Sequence, residues 1–203
     1  MANRPPMSNR TPTRQRRRHG GQAVKIVVTG PFAAGKTTLI RTISEITVLS
    51  TERGITDETR ARKRETTVAM DFGRITIDRE LVLYLFGTPG QERFDFMWEI
   101  LGEGMLGYLL LVDASRADSL AEAEGILAAF RQMARVPFAV GINRSTGEPG
   151  EAEQVRERLG LGLEIPVLPC DATDKASVKE RLLALLYAVL DDVEAESAQV
   201  AGG

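Results

Sequence analysis

The 203-residue chain reads as a three-layer α/β domain around a six-stranded, mostly parallel sheet with one antiparallel strand. Three observations predict this. Short β-branched runs alternate with segments whose apolar residues recur at helical spacing, the pattern of a parallel sheet covered on both faces. Two strand-like runs are separated only by Asp78, Arg79 and Glu80, a polar turn that pairs them as a hairpin and reverses one strand. Apolar residues make up 43% of the chain, enough for a buried core.

The elements follow in order. Residues 24–29 form a buried strand, and Leu39, Ile40, Ile43 and Ile46 continue at helical spacing. Residues 48–66 are polar and irregular. Residues 67–77 and 81–86 are the hairpin strands, and 108–112 is a wholly apolar strand. An Ala-rich helix spans 117–134, a strand 137–142, a helix 151–159, a strand 165–168, and a long helix runs from 175 to about 194. A single domain over 23–196 is expected, between an arm at 1–22 with almost nothing to bury and a fraying tail at 197–203.

Charge and cysteine content narrow the function classes. Net charge is −2, which gives no case for nucleic-acid binding. The near-neutrality is a cancellation, because six arginines (4, 10, 14, 16, 17 and 18) precede four acids at Asp191, Asp192, Glu194 and Glu196. The arm reads either as an anionic-lipid binder, at about 1 kcal/mol per residue near a membrane surface, or as a solvating tail. One cysteine, Cys170, excludes a disulfide framework and fits a reducing, cytoplasmic setting. No apolar run approaches the ~20 residues that span a bilayer.

Chemistry in such sheets sits at the carboxyl ends of the strands. The first such loop is Gly30-Pro31-Phe32-Ala33-Ala34-Gly35-Lys36-Thr37-Thr38, a match to G-x-x-x-x-G-K-[ST] between a strand and a helix. Gly30 and Gly35 permit backbone conformations that turn N–H groups, including those of Ala33 and Ala34, toward an anion. The helix N-terminus adds its positive end. Lys36 is expected on the β- and γ-phosphates, the Thr37 hydroxyl on Mg²⁺, and Thr38 near the α-phosphate.

Further segments extend the likeness. The phosphate loop, the run Thr67-Val68-Ala69-Met70-Asp71-Phe72-Gly73, and Leu85-Phe86-Gly87-Thr88-Pro89-Gly90-Gln91 together resemble Ras-like bacterial small GTPases. They are most like those of actinobacterial conservons and the related MglA proteins. The resemblance implies a GTP/GDP switch with a Ras-like domain, hydrolysing GTP with Mg²⁺. Thr67, or adjacent Thr66, would be the threonine that ligates Mg²⁺ and senses the γ-phosphate. The Gly90 amide would touch that phosphate, and Gln91 would orient the attacking water. Asn143 and Arg144 would flank the base, with Asp171, Ala172 and Thr173 closing over it and the Ala172 N–H on guanine O6. A roadblock (LC7)-type regulator, a sensor kinase and recruitment to the inner membrane face are also implied.

The chain departs from that pattern at three places. Gly87 stands where the family has the aspartate behind Mg²⁺, and Asp71, on the partner strand of the hairpin, reads either as the nearest substitute or as an exposed strand residue. Thr146 stands where a carboxylate reads guanine, which weakens or relaxes base selectivity; Glu148 compensates only if its loop bends back. Phe32 occupies a loop position where small GTPases carry glycine, which predicts slow unaided hydrolysis. Arg60, Arg62, Lys63 and Arg64 read either as a solvated basic loop or as the source of an arginine for the transition state. Phe94, Phe96, Met97 and Trp98 read either as an apolar partner surface, the favoured reading, or as core packed beneath that segment. Two rival functions stand beside the switch: a nucleotide-bound scaffold that does not hydrolyse, and an ATP-using P-loop enzyme.

Overall fold

The computed structural model describes residues 22–50, 70–77, 81–90 and 96–201. The expectations placed on Thr66, Thr67, Gln91, Phe94, the basic residues 60–64 and the N-terminal arm lie outside these residues. The strands are β1 (Gln22–Thr29), β2 (Leu49–Ser50), β3 (Asp71–Thr76), β4 (Leu81–Gly87), β5 (Gly107–Asp113), β6 (Phe138–Asn143) and β7 (Val167–Pro169). The helices are α1 (Lys36–Ile43), α2 (Phe96–Gly102), α3 (Ser119–Met133), α4 (Glu151–Arg158) and α5 (Lys175–Ala201).

The sheet order is β2-β3-β4-β1-β5-β6-β7. β1, β4, β5, β6 and β7 run parallel, and β3 runs against both of its neighbours. The expected six strands are all present, and the two-residue β2 extends the edge beyond β3. The sheet is parallel because helical crossovers return each strand in the same direction. β3 and β4 pair antiparallel because the few residues between them leave no room for a crossover.

Both faces of the central strands are packed. Ile26, Val28, Leu83 and Leu85 meet Leu39, Ile40 and Ile43 of α1 and Leu182, Leu185 and Val189 of α5. Val27, Tyr108, Leu110 and Val112 meet Trp98 of α2 and Ile126, Leu127 and Phe130 of α3. β5 is buried at all seven positions, as expected of a central strand covered on both sides.

Two local expectations change. The apolar surface expected around 94–98 folds in part as α2, and Trp98 is buried against Phe130 with its Nε1 donating to the Pro89 carbonyl at 3.4 Å. Phe96, two residues earlier on that helix, stays exposed. Burying an indole removes more apolar area from water than any neighbouring side chain, so the helix turns that residue inward. α5 also continues past 194 to Ala201, into the stretch expected to fray.

Tyr108 is buried between Phe130 and Phe138, and among the described residues its hydroxyl has no hydrogen-bond partner. Burial pushes its pKa up. A buried hydroxyl without a partner destabilises the fold, so Tyr108→Phe should raise stability by about 1 kcal/mol, read as a higher urea midpoint at unchanged slope. A lower midpoint would mean the hydroxyl is satisfied.

Candidate functional site

The phosphate loop joins β1 to α1 at the carboxyl edge of the sheet. Its backbone is set by positive φ at Gly30 (142°), Ala33 (61°) and Gly35 (105°). Lys36 is buried, and its Nζ donates to the carbonyls of Gly30 at 2.7 Å and Pro31 at 2.6 Å. The ammonium thus lies folded across the loop. Gly90, after β4, closes the other side: a Cβ there would come within 2.7 Å of both Lys36 Nζ and the Phe32 Cα. Gly90 is therefore a close-approach glycine at the mouth of the loop. Phe32 is 53% exposed at that mouth.

The Thr37 hydroxyl donates to Asp71 Oδ2 at 2.5 Å. Register explains the contact, since Asp71 pairs with Gly87 across the hairpin and lies over it. A Cβ at Gly87 would stand 3.0 Å from the Asp71 Cβ, so the absence of a side chain at 87 makes room for the carboxylate from the next strand. Asp71 is buried, and among the described residues its Oδ1 has no hydrogen-bond partner. A buried carboxylate oxygen without a partner, beside a hydroxyl at a phosphate loop, fits a hard divalent cation. Among the described residues no three His, Cys, Asp or Glu side chains cluster as a metal cage.

A cavity of about 560 Å³ opens next to the loop, lined by Thr38, Arg144, Thr146, Cys170, Asp171 and Thr173 among others. It brings together the residues expected around the base. Asn143 is a strut between the two loops: its Nδ2 donates to the Ala34 carbonyl at 2.8 Å, and its Oδ1 accepts from the Ala172 N–H at 3.2 Å. Gly35 allows that approach, since a Cβ there would stand 2.4 Å from Asn143 Nδ2. The Ala172 N–H, expected on guanine O6, is thus directed at Asn143.

Arg144 lines the cavity and is held from the side of the phosphate loop. It pairs with the buried Asp113 and donates to the Ala33 carbonyl at 3.2 Å, bracing the phosphate loop. Asp171 Oδ1 accepts from the Thr173 amide at 2.8 Å and hydroxyl at 2.6 Å, and these bonds hold its carboxyl below the usual range. Thr146 is exposed, with its amide 3.4 Å from Glu151 Oε1. Burial pushes the Cys170 thiol up to about 11, so it is neutral and unreactive at physiological pH.

Two residues escaped the sequence reading. Asp113 ends the apolar run of β5, and an acid after six buried apolar residues was its signal. Arg116 donates to the Phe32 carbonyl at 2.5 Å and pairs with Glu122 at 2.6 Å. Nothing in the local sequence marks it, because its contact lies 84 residues away.

Similarity to known proteins agrees on nucleotide binding and overturns the likeness to small GTPases. Over 122 residues, 60% of this chain and 70% of the relative, the chain is 32% identical to the uncharacterized protein MJ1339 of Methanocaldococcus jannaschii. A family model described as "conserved hypothetical ATP binding protein" matches residues 28–192. The resemblance to Ras-like bacterial GTPases, conservon proteins and MglA is corrected by these matches. What the chain shares with those proteins is the phosphate loop and its sheet, which bind the triphosphate of any nucleotide. The chain lacks the aspartate behind Mg²⁺, at Gly87, and the carboxylate that reads guanine, at Thr146. The roadblock-type regulator and sensor kinase were implied by that resemblance and by nothing else in the chain. Among the described residues no helix is long and apolar enough to cross a membrane. A nucleotide-binding P-loop domain with this match over most of its length belongs to the conserved ATP-binding protein family.

Proposed function

We propose that this protein is an ATP-binding P-loop nucleoside triphosphatase that cleaves the β–γ bond slowly. The observation that carries the reading is the pairing of Thr37 with the buried Asp71 carboxylate beside the loop that enfolds Lys36. In the proposal, the loop amides from Ala33 to Thr38 cradle the phosphates, and Lys36 turns from the Gly30 and Pro31 carbonyls to the β- and γ-oxygens. Thr37 and Asp71 hold Mg²⁺, which when bound neutralises charge on those oxygens. Thr67 is the remaining candidate ligand from the chain. The Gly90 amide faces the γ-phosphate. Gln91 orients a water in line with the bond to be broken. Water oxygen bonds to the γ-phosphorus as the bridging oxygen leaves with ADP, and the water proton passes to the phosphate formed. Phe32 at the mouth crowds the attacking side and keeps unaided turnover low.

The base reading rests on chemistry as well as on the family. Guanine is distinguished by a carboxylate that accepts from N1 and the exocyclic amine. The carboxyl in the cavity, Asp171, accepts instead from Thr173, and Thr146 is neutral. The Ala172 N–H is directed at Asn143. With Asp171 Oδ1 and the Ala172 N–H engaged inside the protein, the case for a dedicated guanine reader is weakened.

The test is the affinity of the full chain for ADP, ATP, GDP and GTP measured side by side with Mg²⁺, with phosphate release followed. ADP and ATP are expected to bind at least as tightly as the guanine nucleotides, with slow release of phosphate. A preference for GDP of about tenfold or more (~1.4 kcal/mol) would overturn the base assignment. Binding without any turnover would leave the nucleotide site and remove the hydrolase reading in favour of a scaffold.

A further inference from the structure

Among the described residues, two surfaces lack the cover that their chemistry calls for. The first is one face of the hairpin. Asp71, Gly73 and Ile75 of β3 point toward α1, where a Cβ on Gly73 would touch Ile40. The alternate residues point to the opposite face. There Phe72 stacks on Tyr84 at 5.8 Å and meets Phe86 at 5.1 Å. Lys25 of β1 lies 5.2 Å over the Phe86 ring, and Arg74 sits in register with Tyr84. These side chains are only half-buried. Among the described residues the helix packed on β3 and β4 is α1, on the other side. An aromatic sheet face bordered by two cations is thus left outside the layers.

The second surface is the end of α5. Leu182, Leu185 and Val189 anchor this helix on the core. Tyr187, Leu190 and Val193 form a separate stripe, 65%, 55% and 51% exposed, flanked by Asp191, Asp192 and Glu194. From Leu190 onward every side chain with a described environment is exposed. About three turns of helix without packing are marginal in water, since helices under roughly 12 residues gain little from propensity alone.

We infer that the chain associates with itself head to tail, the α5 end of one copy lying on the β3–β4 face of the next. The complementarity is twofold. A sheet face takes a helix as its covering layer, and an acid-flanked stripe suits a cation-bordered aromatic face. The two surfaces cannot meet within one molecule, because α5 packs on the α1 side of the sheet and the aromatic face lies on the α2–α3 side. Two different surfaces make a heterologous contact, which builds chains or rings and does not stop at a dimer.

The test is molar mass by light scattering and sedimentation of the full-length protein, from about 10 to about 500 µM, a range that covers weak association. Mass is expected to rise beyond the dimer with concentration, and the association to weaken about fivefold or more between ~50 and ~500 mM salt. Tyr187→Ser with Leu190→Ser removes the helix stripe. Arg74→Glu with Tyr84→Ser removes the sheet patch. Each double variant alone should be monomeric, with thermal melts confirming that it folds. An equal mixture of the two should form a one-to-one complex and nothing larger, since each partner retains one intact surface. A wild type that stays monomeric throughout, a species that stops at a symmetric dimer, or a mixture that stays monomeric would each overturn the inference. Should either double variant fail to fold, reversing charge at Asp191 and Asp192 to Arg should abolish association, and adding Arg74→Glu and Lys25→Glu should restore it.

Discussion

Gly30→Ala should unfold this protein more readily than any other single-methyl addition in the phosphate loop. A Cβ at Gly30 would stand 2.1 Å from the Leu111 carbonyl oxygen, and the residue sits at φ 142°, where L side chains are strained. Leu111 belongs to the central strand β5, which is buried at every position and has no room to retreat. Backbone strain of about 1–2 kcal/mol adds to overpacking of about 1–3 kcal/mol. The expected loss is about 4 kcal/mol, a large part of the ~5–15 kcal/mol that holds a typical domain. Urea unfolding of the two proteins side by side measures it. A loss under ~1 kcal/mol would mean that the loop does not leave β1 pressed against β5.

Asp71→Asn should separate stability from function. The carboxylate is buried with one oxygen on Thr37 and the other without a partner among the described residues. An uncompensated buried charge opposes folding, so the nucleotide-free variant should be as stable as the parent or more so. In the proposed site the same charge helps to hold Mg²⁺. Affinity for ATP in the presence of Mg²⁺ should therefore fall by roughly 10–100-fold. Affinity measured with a chelator should change little. Titrating Mg²⁺ at fixed nucleotide reads the difference directly. An unchanged Mg²⁺ titration would remove Asp71 from the metal site. A variant that also loses stability would show that the carboxylate serves the fold.

Much of the architecture was legible because it depends on local pattern. Alternating β-branched and helix-spaced runs announced a parallel sheet, and the polar turn at 78–80 announced the reversed β3. The phosphate loop was legible for the same reason: its glycines, lysine and threonines act through backbone that is contiguous in the chain. Trp98 was not, because an aromatic residue after a loop has the same local pattern whether it faces water or core. Only the position of Phe130 on α3 turned it inward. Asp113 and Arg116 were missed because each supports the phosphate loop from another strand end.

The base loop divides in the same way. Its place after β6 and β7 could be read from sequence order, so Asn143, Arg144 and Asp171 were all expected beside a base, and they line one cavity. Their duties could not be read. Asn143 ties Ala34 to Ala172, Arg144 braces Ala33, and Asp171 holds its own turn, so residues expected at a base also hold the walls of the cavity.

By itself the sequence determined that this chain builds a mostly parallel α/β sheet and places a phosphate-binding loop at its carboxyl edge. Periodicity and a nine-residue motif are enough for that, since both are written in neighbouring residues. Only the tertiary structure decided what stands beside the loop. The carboxylate facing Thr37 comes from 34 positions away, across a hairpin whose register sets Asp71 over Gly87. Side chains on different strands meet through pairing and packing, and one residue of slip would have turned that carboxylate to the opposite face of the sheet.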